Sequence, residues 1–443
     1  RIRRALPLLT TMAGPALVVS AMPLVMTALL AIGSNRPEIS YEAAGLGSLH
    51  PADLMMLVFG NLFGASVKDA VFWGPPSFPW KQAMGPGDLF VAQNMGQIYS
   101  GIFAPLALAL FAPARGSGLW GRELRFFVVG LALMLLYALG WYTPAFRAIY
   151  ELVPGVALFR RPADATFLIG YLVAVITGYL VHRWLVGAVP PLAWRDRIVA
   201  GLAAAAVIGC ALWLAVSVGY LRQALTPIAI GLVMVLLALV ALYAARRVAT
   251  RAPAMAAAVL ALVAVGDLAI SNGPNGSTAL PPATYAAMRP DTANETIRLI
   301  KGRLAATAAP DRRDRVELIA IAYHWPNISL SHGFDHLFGQ NPLRLRDFFA
   351  ATGVGDTVAV PDQRTFAPLY PSYHSVFADL FGVRFIATGV PVEAIDRNLR
   401  PGDLPLIART KDAFVYENPH ALPRAMFVGG ARVADFSRML REG

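Results

Sequence analysis

Seven stretches of this 443-residue chain carry no charge. They lie between Arg4 and Arg36, Asp88 and Arg115, Arg125 and Arg147, Asp164 and Arg183, Arg197 and Arg222, Arg222 and Arg246, and Arg251 and Asp267. A helix needs about 20 apolar residues to cross a bilayer. Runs of this kind exclude an ordinary water-soluble core and predict a polytopic α-helical membrane domain of about seven spans. The loops between the runs alternate in character. Arg1, Arg3 and Arg4, then Arg115, Arg122 and Arg125, then Arg183, Arg195 and Arg197, then Arg246, Arg247 and Arg251 fall in every second one. The loop from Arg36 to Asp88 instead has three basic and five acidic residues. The positive-inside rule makes the Arg-rich loops cytoplasmic. Seven crossings then place the C-terminal part outside.

The expected division is a transmembrane helical domain over 1–271, with a long outer loop at 33–87, followed by an extracytoplasmic α/β (or α+β) domain over 272–443. The net charge of +11 does not argue for nucleic acid, because 19 basic and 17 acidic residues nearly cancel from Asn272 onward. The excess belongs to the membrane half, where it sets orientation and meets anionic lipid. The single cysteine, Cys210, lies in an apolar run, so the C-terminal domain is expected to fold without a disulfide. Lys occurs only at 68, 81, 301 and 411, and with the richness in Ala this points to a bacterial, GC-rich source. The expected location is a bacterial inner membrane. The Arg cluster at the start and the run SRMLREG at the end read as the edges of a piece of a longer protein.

Local signals fill in this frame. In the outer loop, Ser48-Leu-His-Pro-Ala-Asp predicts a helix start, and LMMLVFGNLFG is apolar but too short to span, as in a re-entrant or interfacial segment. Phe146–Leu152 predicts a short juxtamembrane helix stopped at Pro154-Gly155. In the C-terminal domain, Thr292-Ala-Asn-Glu295 predicts a capping box. Strands are expected at RVELIAIA (315–322), VRFIATG and RAMFVGG, helices over Pro342–Ala351 and Tyr373–Phe381, and a hairpin from PLIAR and AFVYEN.

The chain has no Walker loop, dinucleotide fingerprint, HExxH or nucleophile elbow. His332 and His336 have metal-ligand spacing, but Gly333 interrupts it, and no metal or other cofactor is expected. Among acidic residues, Asp267 stands alone inside a span, and Glu42 and Asp53 lie in the first outer loop; these three are the candidate catalytic carboxylates. One intramembrane Asp is little for an ion-coupled transporter. Arg160 and Arg161, with Arg36 as helper, lie at headgroup level, where forked guanidinium bonds could hold a phosphate. The alternative is that these Arg residues only anchor helices.

The stretches SNRPEISYEAAGLGSLHPADL (34–54), NLFG (61–64), VPGVALFRRPAD (153–164), FGQNPLRLRDF (338–348), LFGVRFIAT (380–388) and VYENPHALPRAMFVG (415–429) occur in this order. Through them the chain resembles the bacterial YfhO-like membrane proteins, allied to the multi-pass GT-C glycosyltransferases. The resemblance implies a polyprenyl-phosphate-sugar donor used on the outer face and an envelope polymer or glycan as acceptor. It also implies a catalytic carboxylate in an outer loop upstream of Arg1. A non-catalytic protein that binds, flips or scaffolds a lipid-linked sugar is the competing expectation. The chain departs from the family pattern at Asp164, where a second Arg is more usual, and at Gly339-Gln340-Asn341-Pro342, where Gly-Tyr often precedes the Pro.

Overall fold

The computed structural model describes residues 2–34, 39–64, 72–75, 77–84, 96–114, 116–190, 192–273, 282–322, 324–340, 343–353 and 358–442. The chain divides into two units: residues 38–280, and residues 1–37 together with 281–443.

In the first of these units, apolar helices run over Thr166–Leu185, Trp194–Ser217, Leu221–Val248 and Pro253–Ser271. Together with Thr10–Ile32 of the other unit, five described helices are long and apolar enough to cross a membrane. Their ends follow helix electrostatics. His182 and Arg183 close the first, and Arg246 and Arg247 close the third, where cations meet the partial negative charge of the terminal carbonyls. Arg246 also donates to the carbonyls of Trp184 and Leu185 at the C-terminal end of the first of these helices.

Two of the seven expected spans are shorter than their sequence promised. Arg125–Ala138 has 14 residues, about 21 Å of helix at 1.5 Å per residue. In the stretch expected between Asp88 and Arg115 the described helix is only Phe103–Leu110; residues 85–95 lie outside the described residues. Helix begins late there because the preceding backbone is otherwise engaged. The Ile102 N–H donates to the Asp267 carboxylate at 2.7 Å, and Gly101 has φ +90°. The LMMLVFGNLFG segment forms no long helix. It is a 3-10 turn over Pro51–Leu57 followed by turns, and its Met56, Phe59, Leu62 and Phe63 are buried against Ala211, Leu214, Ala215 and Ile228.

The second unit contains a five-stranded mixed sheet, β1 (Arg315–Ile319), β2 (Asp335–His336), β3 (Val383–Thr388), β4 (Leu406–Arg409) and β5 (Phe414–Glu417), in the order β2-β1-β3-β5-β4. β1 is parallel to both β2 and β3, and β5 is antiparallel to both β3 and β4. Side chains alternate between faces. Val316, Leu318, Phe385, Ala387 and Val415 pack on Ile297 and Ile300 of the helix Glu295–Thr307. Ile319, Ile386 and Tyr416 pack on Tyr370, Tyr373 and Ala378.

Three local expectations change here. The helix Glu295–Thr307 is capped by Asn294, whose side chain accepts from Ile297 N at 3.1 Å, while Thr292 only supports Asn294. RAMFVGG forms no strand. Arg424 pairs with Asp335 of the edge strand β2 at 2.9 Å, but no backbone ladder forms among the described residues, and Phe427 and Val428 stand exposed. The helix expected over Tyr373–Phe381 shortens to Val376–Leu380, because Ser375 caps it.

The first helix, Ile2–Ile32, clusters with this sheet and not with the other helices. Its C-terminal carbonyls explain why. Arg346 N donates to Gly33 O at 2.9 Å and the Arg346 guanidinium donates to Ile32 O at 2.7 Å, while Ser34 bridges Leu345. The end of the first helix and the sheet therefore belong to the same side of any membrane that this helix crosses.

Candidate functional site

Two of the sequence stretches singled out above interlock within the helical unit. The backbone of 39–49 runs along 138–163 through Ile39 N to Ala157 O at 3.0 Å, Arg161 N to Leu46 O at 2.9 Å, Ala163 N to Gly47 O at 3.0 Å and Leu49 N to Ala138 O at 2.7 Å. The Tyr150 hydroxyl donates to Ile39 O at 2.6 Å. Two glycines make this approach possible. A Cβ on Gly47, at φ +85°, would lie 3.1 Å from the Arg161 side chain, and a Cβ on Gly45 would lie 2.8 Å from the Trp141 ring. The spacing Gly-Leu-Gly is thus a packing requirement of the loop that carries the arginines.

Arg161 itself has φ +71°, in the left-handed region that a non-glycine residue adopts at a cost of about 1–2 kcal/mol. The backbone bond to Leu46 and the turn closed by Asp164 N on Arg161 O hold it there. Strain of this kind gathers where function fixes a side chain. The Arg161 side chain is exposed and Arg160 is half-buried. Glu42 is exposed in the first turn of the helix Tyr41–Gly45, on the other interlocked segment. Beside it, Arg147 lies over the Tyr41 ring at 5.8 Å and pairs with Glu151 at 2.9 Å.

Asp53 sits one segment further on and is buried; burial pushes its carboxyl well above the usual carboxylate range. Gly96 passes so close that a Cβ there would lie 2.8 Å from Asp53 Oδ2. His50 caps the same turn, its Nδ1 accepting from Ala52 N at 3.1 Å, and burial lowers its pKa. Its ring meets Trp80 and Tyr142 edge-on, with centroids 5.3 and 5.0 Å away.

The remaining candidates do not join this group. Asp267 is buried and accepts from the Tyr99 hydroxyl and Ile102 N, both at 2.7 Å, and from the Ser271 hydroxyl at 3.4 Å. That set fastens the backbone of 99–102 to the helix Pro253–Ser271. Arg36 lies outside the described residues. His332 and His336 do not share a helix: Gly333 ends the first at φ +71°, and His336 is in β2. Among the described residues no group of three or more His, Cys, Asp or Glu could hold a metal ion.

The resulting platform offers two exposed functions, a guanidinium held by a strained backbone and a carboxylate one segment away. The first suits an anionic oxygen and the second a hydroxyl proton. No family model, curated protein or solved structure matches this chain.

Proposed function

We propose that this chain acts at a bacterial inner membrane as a glycosyltransferase-like protein that takes a polyprenyl-phosphate-linked sugar on the outer face for cell-envelope glycosylation. The observation that supports this reading best is the interlock of 39–49 with 138–163, which carries Arg161 in a strained backbone conformation next to the segment bearing Glu42. Arg160 and Arg161 would hold the carrier phosphate. Glu42 would accept the proton of an acceptor hydroxyl as its oxygen attacks the anomeric carbon. The bond from that carbon to the phosphate oxygen breaks, and the phosphate leaves on its lipid with its charge met by the arginines.

Losing a charge-assisted bond to phosphate costs about 1.5–3 kcal/mol, roughly ten- to hundred-fold in affinity. Arg160→Ala and Arg161→Ala should therefore weaken binding of a polyprenyl-phosphate sugar by that factor, with membrane insertion intact. Unchanged binding in the double variant would reduce both residues to helix anchors. Sidedness is tested by labelling from outside in a Cys210→Ala background: a Cys at Ser277 should react and one at Ser117 should not.

A second reading, binding or flipping of the lipid-linked sugar without transfer, draws on a specific observation. Of the three carboxylates marked in the sequence, Asp53 and Asp267 are buried, and only Glu42 is exposed. Glu42→Gln separates the two readings. It should abolish turnover while sparing donor binding if this chain carries out the transfer, and turnover kept in the variant removes Glu42 from the role of base.

A further inference from the structure

Glu317 occupies the middle of β1, in the interior of the sheet unit, and is wholly buried. Alternation along β1 puts it on the face of Ile319, under the layer that contains Tyr370 and Tyr373. Neither carboxyl oxygen has a hydrogen-bond partner among the described residues. The strongest charge acting on it is Arg364, whose Nη2 makes no hydrogen bond among the described residues. The Arg364 guanidinium is boxed by four rings, with its carbon 3.8 Å from the Phe366 centroid, 4.8 Å from Phe338, 4.9 Å from Tyr370 and 5.3 Å from Tyr373. Its Nε donates to the Tyr373 hydroxyl at 3.1 Å, and its Nη1 donates to the carbonyls of Thr352 and Thr365. It forms no ion pair with Glu317 among the described residues, although its field, with that of Arg344, reaches the carboxyl.

An ionised carboxylate in such a place has lost its water and received no donor in exchange, which a protein interior tolerates poorly. We propose that Glu317 is a proton-dependent latch: neutral, it lets the segment 358–373 close over the sheet, and on losing its proton it loosens that cover. The cover depends on the same layer. Ala320 N donates to Val358 O at 2.7 Å, and Val358, Tyr370 and Tyr373 are buried over the strand.

The groups facing Glu317 are Arg364, Tyr370 and Tyr373 from the cover and Arg344 from the loop after β2, with His336 on the neighbouring strand. Burial overrides the two arginines and pushes the Glu317 carboxyl up to about 8. Burial holds His336 down at about 3, so it stays neutral throughout the relevant window. Both tyrosines are pushed further up. Glu317 then titrates between acid and neutral pH, while Asp396, bonded to Ser372 and Tyr373, is the other carboxylate packed against this cover. Because its folded pKa is raised, its contribution to closure is complete below the pKa of an exposed Glu. It is lost as pH rises towards 8, and it is flat beyond.

The test is hydrogen exchange of peptides covering 358–373 in the full chain in detergent micelles, corrected for intrinsic exchange, from pH 5 to pH 9. Protection should fall by up to about tenfold per pH unit between pH 5 and pH 8 and level off above that. In Glu317→Gln it should not vary with pH, and at pH 8 it should exceed that of the parent. Flat protection in the parent overturns the latch. So does a Glu317→Gln variant less protected than the parent at pH 8, which would mean an ionised Glu317 bound through water to Arg364. If the variant fails to fold, the infrared carbonyl band of a protonated carboxyl decides. Its disappearance between pH 7 and pH 9 in the parent supports the latch, and its absence at pH 6 overturns it.

Discussion

Asp267 in the helical unit and Glu317 in the sheet unit are both buried carboxylates, exposed by 1 % and 0 %. Asp267 receives a hydroxyl and a backbone N–H at 2.7 Å each. Glu317 receives no bond among the described residues. The first buried acid organises backbone, because its acceptors are matched by donors that would otherwise be orphaned at the start of a helix. The second strains its surroundings unless a proton removes its charge. Burial alone does not say whether an acid is a strut or a sensor; the donors around it do.

Substitutions can break this contrast. Asp267→Ala should have the largest effect. It strands Tyr99 Oη and Ile102 N in the interior, at about 3–5 kcal/mol for two charge-assisted bonds, read as a lower midpoint of thermal unfolding in detergent. A small loss would mean that water replaces the carboxylate. Glu317→Gln should act in the opposite direction. A carboxyl raised from 4.5 to about 8 withholds up to ~4 kcal/mol at pH 8, so the variant should melt higher than the parent at pH 8. At pH 5 the two should nearly coincide.

Two charges near the surface sharpen the comparison. Arg346→Ala removes the guanidinium bond to the end of the first helix, worth about 1–2 kcal/mol, and should make the chain near Ile32 more sensitive to proteolysis. Arg147→Ala breaks an exposed pair with Glu151 and should leave the melting temperature unchanged, since exposed ion pairs contribute little.

The sequence made some of this visible. Uncharged runs showed the helices, and RVELI, VRFIAT and the LIAR–FVYE pair showed four of the five strands. In each case the signal is local periodicity. The rest depends on distant partners. RAMFVGG has strand composition, but a strand needs a continuous ladder, and among the described residues this segment makes only the Arg424–Asp335 pair and the bond from Ala425 N to Asp311 O. The alternation in β1 would place Glu317 on a solvent face; only the segment 358–373, folded over that face, buries it. No sequence signal explained Gly45 and Gly47, whose reason is the approach of Trp141 and Arg161. Arg160 and Arg161 were legible as a pair, but the left-handed backbone of Arg161 was not, because it comes from the bond to Leu46. The attachment of the first helix to the sheet left no trace in either segment.

That attachment has a bearing on how the chain is made. The residue that closes the helix end at Ile32 follows it in synthesis by 314 positions. At roughly 5–20 residues per second, the carbonyls at that end wait on the order of 15–60 s for Arg346. During the interval water, lipid headgroups or a chaperone must serve them. This helix end is thus completed long after its own synthesis, so faults in biosynthesis should surface there first.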